Sequence, residues 1–561
     1  MSKYTKPKGS IPTFKKPLPF ETMSEMIELT VSNNADNIAF LTPREGNIYQ
    51  LTYSQVLERI KKLARKLRDL GIAKGDHVAI LGENRPEWGI SFFAVSWIGA
   101  VAIPLDARAS LTDYKFIMDF SSTKALILSG SFHKGIKSIS EELKSLKHLI
   151  LMDDIEEITK KYSKGSEKEN IGPDDLLEIL FTSGTTGDPK GVMLSHGNIM
   201  SNVSDINRII DYNQTDRAFS ILPIHHCYEC TAGLISPFSS GMSIFYARGL
   251  KPRELLEDLK TAKPTIWLNT PLLLEKLYLK IEKELASQKG FKRLITKALP
   301  NSIIGRKIKQ NLGLERSRLI VSGGAALPAW ISSGFEKYGI KVIQGYGLSE
   351  ASPLISANPP GNSKPGSIGM IIPSVEVEIR DIDSEGHGEI VARGPNIMKG
   401  YYNNQAASDE TMTDDGWLLT GDIGYFDEDG YLFITGRKKF VIVTKGGKNV
   451  FPEEIEEKLT KSIYIEEALV FSPNDVDIHA LIYPNMDELI NEFESLGNQL
   501  TEGNIKEFMK AEVRNTNQTL QAYKKIRDFA LREEEFPKTT TRKIKRFLFK
   551  GLKINSETNT T

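Results

Sequence analysis

Apolar residues recur three and four apart through Val56, Ile60, Leu63, Leu67 and Leu70. The stretch Thr52-Tyr53-Ser54-Gln55 just before them has the spacing of a capping box, and Gly71 follows the last apolar position. A helix is predicted from there to Gly71. Beyond it, short apolar runs alternate with helical patterns. Strands are predicted at 77–81, 100–103 and 125–128, with a buried helix at 88–97 and another helix at 112–120. Further strands are predicted at 177–182, 218–222 and 243–246. Such alternation predicts a mostly parallel sheet covered on both faces. Ligands of such sheets bind beyond the carboxyl ends of the strands.

The pattern changes near Pro373. Val375-Glu376-Val377-Glu378-Ile379-Arg380 alternates strictly, which predicts a half-buried strand. Short strands within 388–394 and 430–436 complete a smaller antiparallel subdomain. After Arg437 come short strands and charged helices, with the clearest helix start at 453–459. The stretch 487–530 is highly charged with helical periodicity, which suits a solvated helical face. The expected fold class is α/β: a large N-terminal domain of mixed parallel sheets with a small antiparallel β subdomain, then a small α+β C-terminal domain. Its expected divisions are a flexible leader at 1–19, the large domain at 20–437, the small one at 438–550 with a joint near 437–440, and a tail at 551–561.

Composition narrows the function classes. With 561 residues the chain exceeds one ordinary core. Lys+Arg 72 balances Asp+Glu 72, which argues against nucleic acid as the main partner. Two cysteines argue against a disulfide-built secreted protein. The longest apolar run, 90–105, is shorter than the roughly 18 residues of a membrane span and is broken by Gly99 and Pro104. The lysine- and proline-rich start is no secretory signal. The expected location is the cytoplasm. Peripheral contact at the inner membrane face is the alternative, carried by residues 546–550, whose bland reading is a closing element of the small domain.

Between the strand ending at Thr182 and the one starting near Val192 lies Ser183-Gly184-Thr185-Thr186-Gly187-Asp188-Pro189-Lys190-Gly191. Glycines, hydroxyls and one lysine make an anion nest suited to phosphate. It is not a Walker A loop, because no Gly-Lys-Ser/Thr follows at the required spacing. Taken alone it reads equally well as an exposed hairpin turn. Two further clusters follow strands: Ser322-Gly323-Gly324-Ala325-Ala326, and Gln344-Gly345-Tyr346-Gly347-Leu348-Ser349-Glu350. Small residues beside an aromatic make a slot for a planar base. Glu350 beside a phosphate loop suits Mg²⁺. Asp422, after Trp417-Leu418-Leu419, reads as a strand-end carboxylate able to take ribose hydroxyls, or as a plain turn aspartate. The stretch His225-His226-Cys227-Tyr228-Glu229-Cys230 contains C-x-x-C, but no other cysteine supplies a second ligand pair. Adjacent residues on a strand would also point to opposite faces. A pocket wall is the preferred reading over a metal site.

Together these stretches resemble the adenylate-forming superfamily of acyl-CoA synthetases, luciferases and adenylation domains. The resemblance covers about residues 20–550 and rests on the order phosphate loop, 322–326, 346–350, Asp422, Arg437, Lys543. Within it, Glu83-Asn84-Arg85-Pro86-Glu87-Trp88, Leu222-Pro223-Ile224-His225-His226 and Gly436-Arg437-Lys438-Lys439 look most like long-chain fatty acyl-CoA synthetases. The resemblance implies attack of a carboxylate on ATP to give acyl-AMP, then transfer of the acyl group to the thiol of coenzyme A. It implies that Thr182, Ser183, Gly184, Thr185, Thr186, Gly187 and Lys190 hold phosphates. Gly323, Gly324, Ala325, Gln344, Gly345, Tyr346 and Gly347 would form the adenine slot. Ser349 would contact the α-phosphate, and Glu350 with Thr182 would bind Mg²⁺. Asp422 and Arg437 would hold the ribose, and Lys543 would bridge the two reacting anions. The small domain would be mobile about Lys439, bringing Lys445, Gly446 and Gly447 to the thiol. The expected catalytic set is Lys543, Lys190, Glu350, Ser349 and His226. Departures from the family pattern are Ser349 for threonine, Phe440 for a polar residue, Thr444 for a lysine of some members, and Arg542 for glycine.

The wall expected around His226, Tyr228, Ile235, Phe238 and 267–273 is apolar or aromatic. That favours a fatty acid, medium- to long-chain, or an aryl acid over an amino acid. An acyl carrier protein in place of coenzyme A is the alternative thiol, and a silent ATP- or lipid-binding relative is the non-enzyme alternative. Oligomeric state is left open between monomer and homodimer.

Overall fold

The computed structural model describes residues 5–182, 189–287, 299–444, 448–474, 476–497, 499–538 and 544–549, to which all counts refer. The capping box at Thr52 forms. Its hydroxyl accepts from Gln55 N, the Gln55 side chain accepts from Thr52 N, and the helix Tyr53–Asp69 follows. Val56, Ile60, Leu63 and Leu67 along that helix are fully buried. Each such burial is worth roughly 1.5–3 kcal/mol.

Among the described residues, a six-stranded sheet runs His148–Leu151, Ala125–Leu128, His77–Leu81, Val101–Leu105, Leu176–Thr182 and Lys190–Ser195. All its pairings are parallel except the last, a hairpin. A nine-stranded sheet runs Met370–Ile371, Leu354–Ala357, Val342–Gly347, Leu319–Ser322, Ile266–Asn269, Arg217–Ser220, Ser243–Tyr246, Ile38–Arg44 and Asn47–Thr52. Its centre is parallel and its two ends antiparallel. The helix Pro86–Trp97 touches strands of both sheets, and all its residues are buried. An all-round apolar helix is what a position between two sheets requires.

A four-stranded antiparallel sheet joins Glu376–Arg380, Gly388–Arg393, Leu418–Phe426 and Leu432–Arg437. The strand at 376–380 is not half-buried as its alternation predicts, because Val377, Glu378 and Ile379 are all buried. The start of the chain pairs along its open edge. Thr5 exchanges backbone hydrogen bonds with Ile379 at 3.1 and 3.0 Å, and Lys6 pairs with Glu378 at 3.3 Å. Residues 5–19, expected as a flexible leader, therefore lie packed on the body. Ile11 is buried and its N–H bonds Ile371 O, while Phe14 N–H bonds Arg208 O.

Beyond Arg437 a separate hydrophobic cluster gathers Ile442, Val450, Ile455, Ile482, Met509 and Ile526, among others. Around it stand the helices Pro452–Leu459, Met486–Leu496 and Glu502–Gln518 and a sheet of Ile465–Phe471, Ile478–Pro484 and Ile526–Leu531. The last strand falls inside the stretch expected to be helical. Its outer residues Arg527 and Asp528 are exposed, so a charged edge strand is what the charge pattern reflects. This part meets the antiparallel sheet through Asn449 Nδ2 on Asp383 Oδ2 and Tyr523 OH on Glu385 Oε1, both at 3.0 Å. Residues Arg546–Phe549 close it, with Phe549 against Phe536 and Arg546 on Glu456, while Phe547 and Leu548 stay exposed. Among the described residues, no helix is long and apolar enough to cross a membrane.

Candidate active site

The glycine- and threonine-rich stretch joins the two strands of the hairpin, in which Thr182 pairs directly with Lys190. Ser183, Gly184, Thr185, Thr186 and Gly187 lie outside the described residues, as do Lys445, Gly446, Gly447 and Lys543. At the base of the hairpin the Thr182 hydroxyl donates to Lys190 O at 3.5 Å. Lys190 Nζ sits 5.1 Å from the centroid of the Tyr401 ring. The Tyr401 hydroxyl in turn donates to Glu350 Oε1 at 2.8 Å. Backbone bonds tie these pieces together: Met193 N to Gly400 O at 3.0 Å, and Met398 N to Glu350 O at 2.9 Å. Lys190 and Glu350 are thus joined through Tyr401, a residue that no sequence motif above contains.

The second group is built on the strand Val342–Gly347. Gly347 has to be glycine, since a Cβ there would lie 1.7 Å from Pro353 O. Gly323 N–H bonds Asn269 O at 3.1 Å, and a Cβ on Gly323 would meet the Tyr228 ring at 2.9 Å. Gln344 Nε2 reaches Ala325 O at 3.5 Å, Gly345 packs on Leu354, and Gly324 takes φ +83 at the exposed turn. Tyr346 OH donates to Asp422 Oδ2 at 2.7 Å, and Arg437 Nε holds Asp422 Oδ1 at 2.7 Å. Asp422 is neither at a strand end nor in a turn. It lies within Leu418–Phe426, directly opposite Arg437 in the antiparallel register. Gly421, at φ +68, suggests a turn in the sequence but only twists the strand.

At the joint, the Phe440 ring lies between Lys439 Nζ at 4.9 Å and the Arg546 guanidinium at 5.1 Å. The departure from a polar residue there supplies an aromatic face for two cations. Thr444 exchanges hydrogen bonds with Lys448 through both its backbone and its hydroxyl. Glu453 Oε2 is buried close to Gly436 and, among the described residues, makes no hydrogen bond. Burial pushes its carboxyl up, against the pull of Arg546 and Arg437.

The wall segment departs furthest from expectation. His225 and His226 lie in a turn rather than on a strand, so their rings face each other with centroids 4.2 Å apart. A π-helical segment, Tyr228–Ile235, follows, a form often found at functional sites. Cys227 Sγ lies 3.3 Å from Ser349 Oγ, and burial pushes its thiol up to about 12. Tyr228 OH donates to Val321 O at 3.1 Å beside Gly323. Phe238 is not wall but core, packed on Phe40, Tyr53 and Phe93. Two buried carboxyls sit in or behind the wall. Gly233 makes room for Glu229, whose carboxyl a Cβ would meet at 2.7 Å. Burial raises both Glu229 and Glu178 to about 8, so they are neutral acids at pH 7. Neither of these two buried acids therefore adds charge to the wall.

A model of the AMP-binding enzyme family matches residues 27–402. The chain is 29% identical over 499 residues to a long-chain-fatty-acid–CoA ligase of Bacillus subtilis (strain 168), covering 81% of this chain and 83% of that one. It is 28% identical over 549 residues to the chloroplastic long-chain-fatty-acid–[acyl-carrier-protein] ligase AEE15 of Arabidopsis thaliana, covering 81% and 75%. Among solved structures, the anthranilate CoA ligase AuaEII with anthranoyl-AMP superposes with TM-score 0.78 at 24% identity, over 95% of this chain and 97% of that one. ATP-bound MatB from Rhodopseudomonas palustris follows at 0.76 and 23%, over 94% and 98%.

Proposed function

Because the chain belongs to the AMP-binding enzyme family, we propose that it activates a fatty acid as acyl-AMP and passes the acyl group to the thiol of coenzyme A. The observation that carries this reading is the assembly of two charge groups. Lys190, Tyr401 and Glu350 form the first, and Tyr346, Asp422 and Arg437 form the second. They present cations, carboxylates and a polar aromatic side chain, with Tyr346 and Arg437 near the carboxyl ends of their strands.

The first step joins two anions, so fixed cations and N–H donors have to offset their repulsion. A carboxylate oxygen attacks the α-phosphorus, and pyrophosphate leaves with the electrons of the broken phosphoanhydride bond. Lys190, with the loop from Thr182, holds the phosphates being expelled. Lys543 sits between the incoming carboxylate and the α-phosphate, and Ser349 orients that phosphate. Tyr346 stacks on adenine in the slot made by Gly323, Gly324, Ala325, Gln344, Gly345 and Gly347. Asp422 takes the ribose hydroxyls while Arg437 fixes its carboxylate. Glu350 and Thr182 fit Mg²⁺. Tyr401 takes one carboxylate oxygen of Glu350, and among the described residues the other bonds no side chain. When bound, Mg²⁺ neutralises phosphate charge. In the second step the thiol attacks the acyl carbon and AMP leaves. A swing of the 438–550 part about Lys439 would exchange Lys543 for residues 445–447, so that one small domain serves both steps.

The apolar and aromatic wall favours a fatty acid, because Glu178 and Glu229, as neutral acids, offer no partner to an amino acid's ammonium. The Arabidopsis relative keeps an acyl carrier protein as the second candidate thiol. The test offers Mg-ATP with a graded series of fatty acids and an aryl acid. Coenzyme A and acyl carrier protein are supplied separately, and acyl-AMP and thioester are measured. Thioester with coenzyme A supports the reading. Carrier loading alone assigns the other thiol, and no adenylate from any acid refutes the reading.

A further inference from the structure

Asp106 follows the strand Val101–Leu105, and His225 and His226 follow Arg217–Ser220 in the other large sheet. One donor atom from each of the three lies within 4.8 Å of the others. Asp106 Oδ2 and both Nε2 atoms are buried and, among the described residues, make no hydrogen bond. Buried polar atoms without partners are uncommon. His225 Nε2 lies within ion-pair reach of Asp106 Oδ1, and all three side chains are metal donors brought together at one place.

The arms that carry them are braced. Asn84 Nδ2 donates to Ser220 Oγ at 2.9 Å and Leu222 O at 2.7 Å, and its Oδ1 accepts from Ile224 N at 3.2 Å. His226 N–H bonds Pro223 O at 3.0 Å. Tyr114 OH donates to Asp106 O at 2.7 Å, and Arg108 N–H donates to Asp106 Oδ1 at 2.9 Å.

We propose that Asp106, His225 and His226 form a binding site for a divalent transition-metal ion, with Zn²⁺ as the reference case. Two imidazoles and a carboxylate suit Zn²⁺, Co²⁺ or Fe²⁺, whereas Mg²⁺ takes oxygen donors and several waters. Bonds of about 2.1 Å set tetrahedral donors about 3.4 Å apart. His225 Nε2 is already 3.5 Å from Asp106 Oδ1. Closing the remaining gap takes side-chain rotation of about an ångström. Arg108 Nε, 3.8 Å from Oδ1, is a cation nearby that limits affinity. The site shares His226 with the expected acyl wall, and its readout, metal uptake, is separate from acid activation.

The test uses the full chain with Co²⁺ as probe in excess Mg²⁺, read by metal content after dialysis and by visible d–d absorption. The expected result is about one Co²⁺ per chain with the intense bands of a four-coordinate site. Uptake should weaken at least about tenfold in Asp106→Asn/His225→Gln and persist in Glu350→Gln. Wild-type uptake no greater than the double variant's, or uptake abolished by Glu350→Gln, overturns the proposal. Should the double variant not fold, X-ray absorption on the cobalt-loaded wild type decides. Two imidazoles in the first coordination sphere support the site, and fewer overturn it.

Discussion

Tyr346 and Arg437 grip the two oxygens of one carboxylate: Tyr346 OH lies 2.7 Å from Asp422 Oδ2, and Arg437 Nε lies 2.7 Å from Oδ1. Tyr346→Phe keeps the ring and removes one hydrogen bond to a charged group, so KM for ATP should rise roughly tenfold. Asp422→Ala also strips Arg437 of its partner and should cost about a hundredfold or more in kcat/KM for ATP. Pyrophosphate release over an ATP titration checks both. Equal values in wild type and Asp422→Ala would remove Asp422 from the nucleotide site.

Tyr401 acts through Glu350 and is a positioning residue. Tyr401→Phe leaves the ring beneath Lys190 but frees Glu350 from its anchor. The Mg²⁺ concentration for half-maximal adenylate formation should rise about tenfold, the usual scale for an outer-shell partner of a metal ligand. KM for the acid should stay unchanged. A Mg²⁺ titration that overlays the wild type would show that the hydroxyl does not orient Glu350.

Buried acids set the pH dependence of stability. Glu178 and Glu229 titrate near 4.5 in the unfolded chain and at about 8 in the folded one. Between those values the folded chain holds protons that the unfolded chain has released. Their contribution is full below 4.5 and falls as pH rises towards 8, by about 1.4 kcal/mol per unit for each group. Glu456, raised by burial to about 7, adds to the fall up to that pH. His196 and His226, lowered by burial from 6.5 to about 4 and about 3, act oppositely. Their contribution is present above 6.5 and is lost as pH drops. The window from 6.5 to 8 therefore isolates the acids. Calorimetry should show the wild-type melting temperature falling across it, and Glu178→Gln and Glu229→Gln falling less. Parallel curves would mean that both carboxyls are already ionised.

Asp383 and Glu385 hold the face that carries Asn449 and Tyr523. The first is half-buried and the second exposed, and a hydrogen bond of this kind is worth about 0.5–1.5 kcal/mol. Removing both with alanine should shift the balance between the two half-reactions by roughly two- to fivefold, read in single-turnover adenylate and thioester formation. Unchanged rates in both would show that this face does not govern the swing.

Local signals in the chain were read well where they were self-contained. The capping box at Thr52 needs only its own four residues, and the strands Ala125–Leu128 and Ser243–Tyr246 coincide with the expected ranges because nothing outside them alters an all-apolar run. The strands that precede the two glycine clusters, Leu319–Ser322 and Val342–Gly347, were legible for the same reason. What failed depended on distant partners. Asp422 looked like a turn residue because its register opposite Arg437 is set fifteen positions later. The strand at Glu376–Arg380 looked half-buried because Thr5, which pairs along its edge, and Lys6, which meets Glu378, lie far off in the sequence. Tyr401 carries no motif, since its role is fixed by a hydrogen bond to a residue about fifty positions away. His225 and His226 looked opposed only under the assumption of a strand.

The backbone bond between Thr5 and Ile379 joins points about 370 residues apart. At ribosomal rates of about 5–20 residues per second, Thr5 must wait roughly twenty seconds to more than a minute for Ile379 to emerge. Until then the backbone groups of Thr5 and the Lys6 ammonium have no partner in this strand. The edge of the antiparallel sheet is closed only when a segment made long before returns to it. Part of the order of assembly is thus written into which segments close that edge.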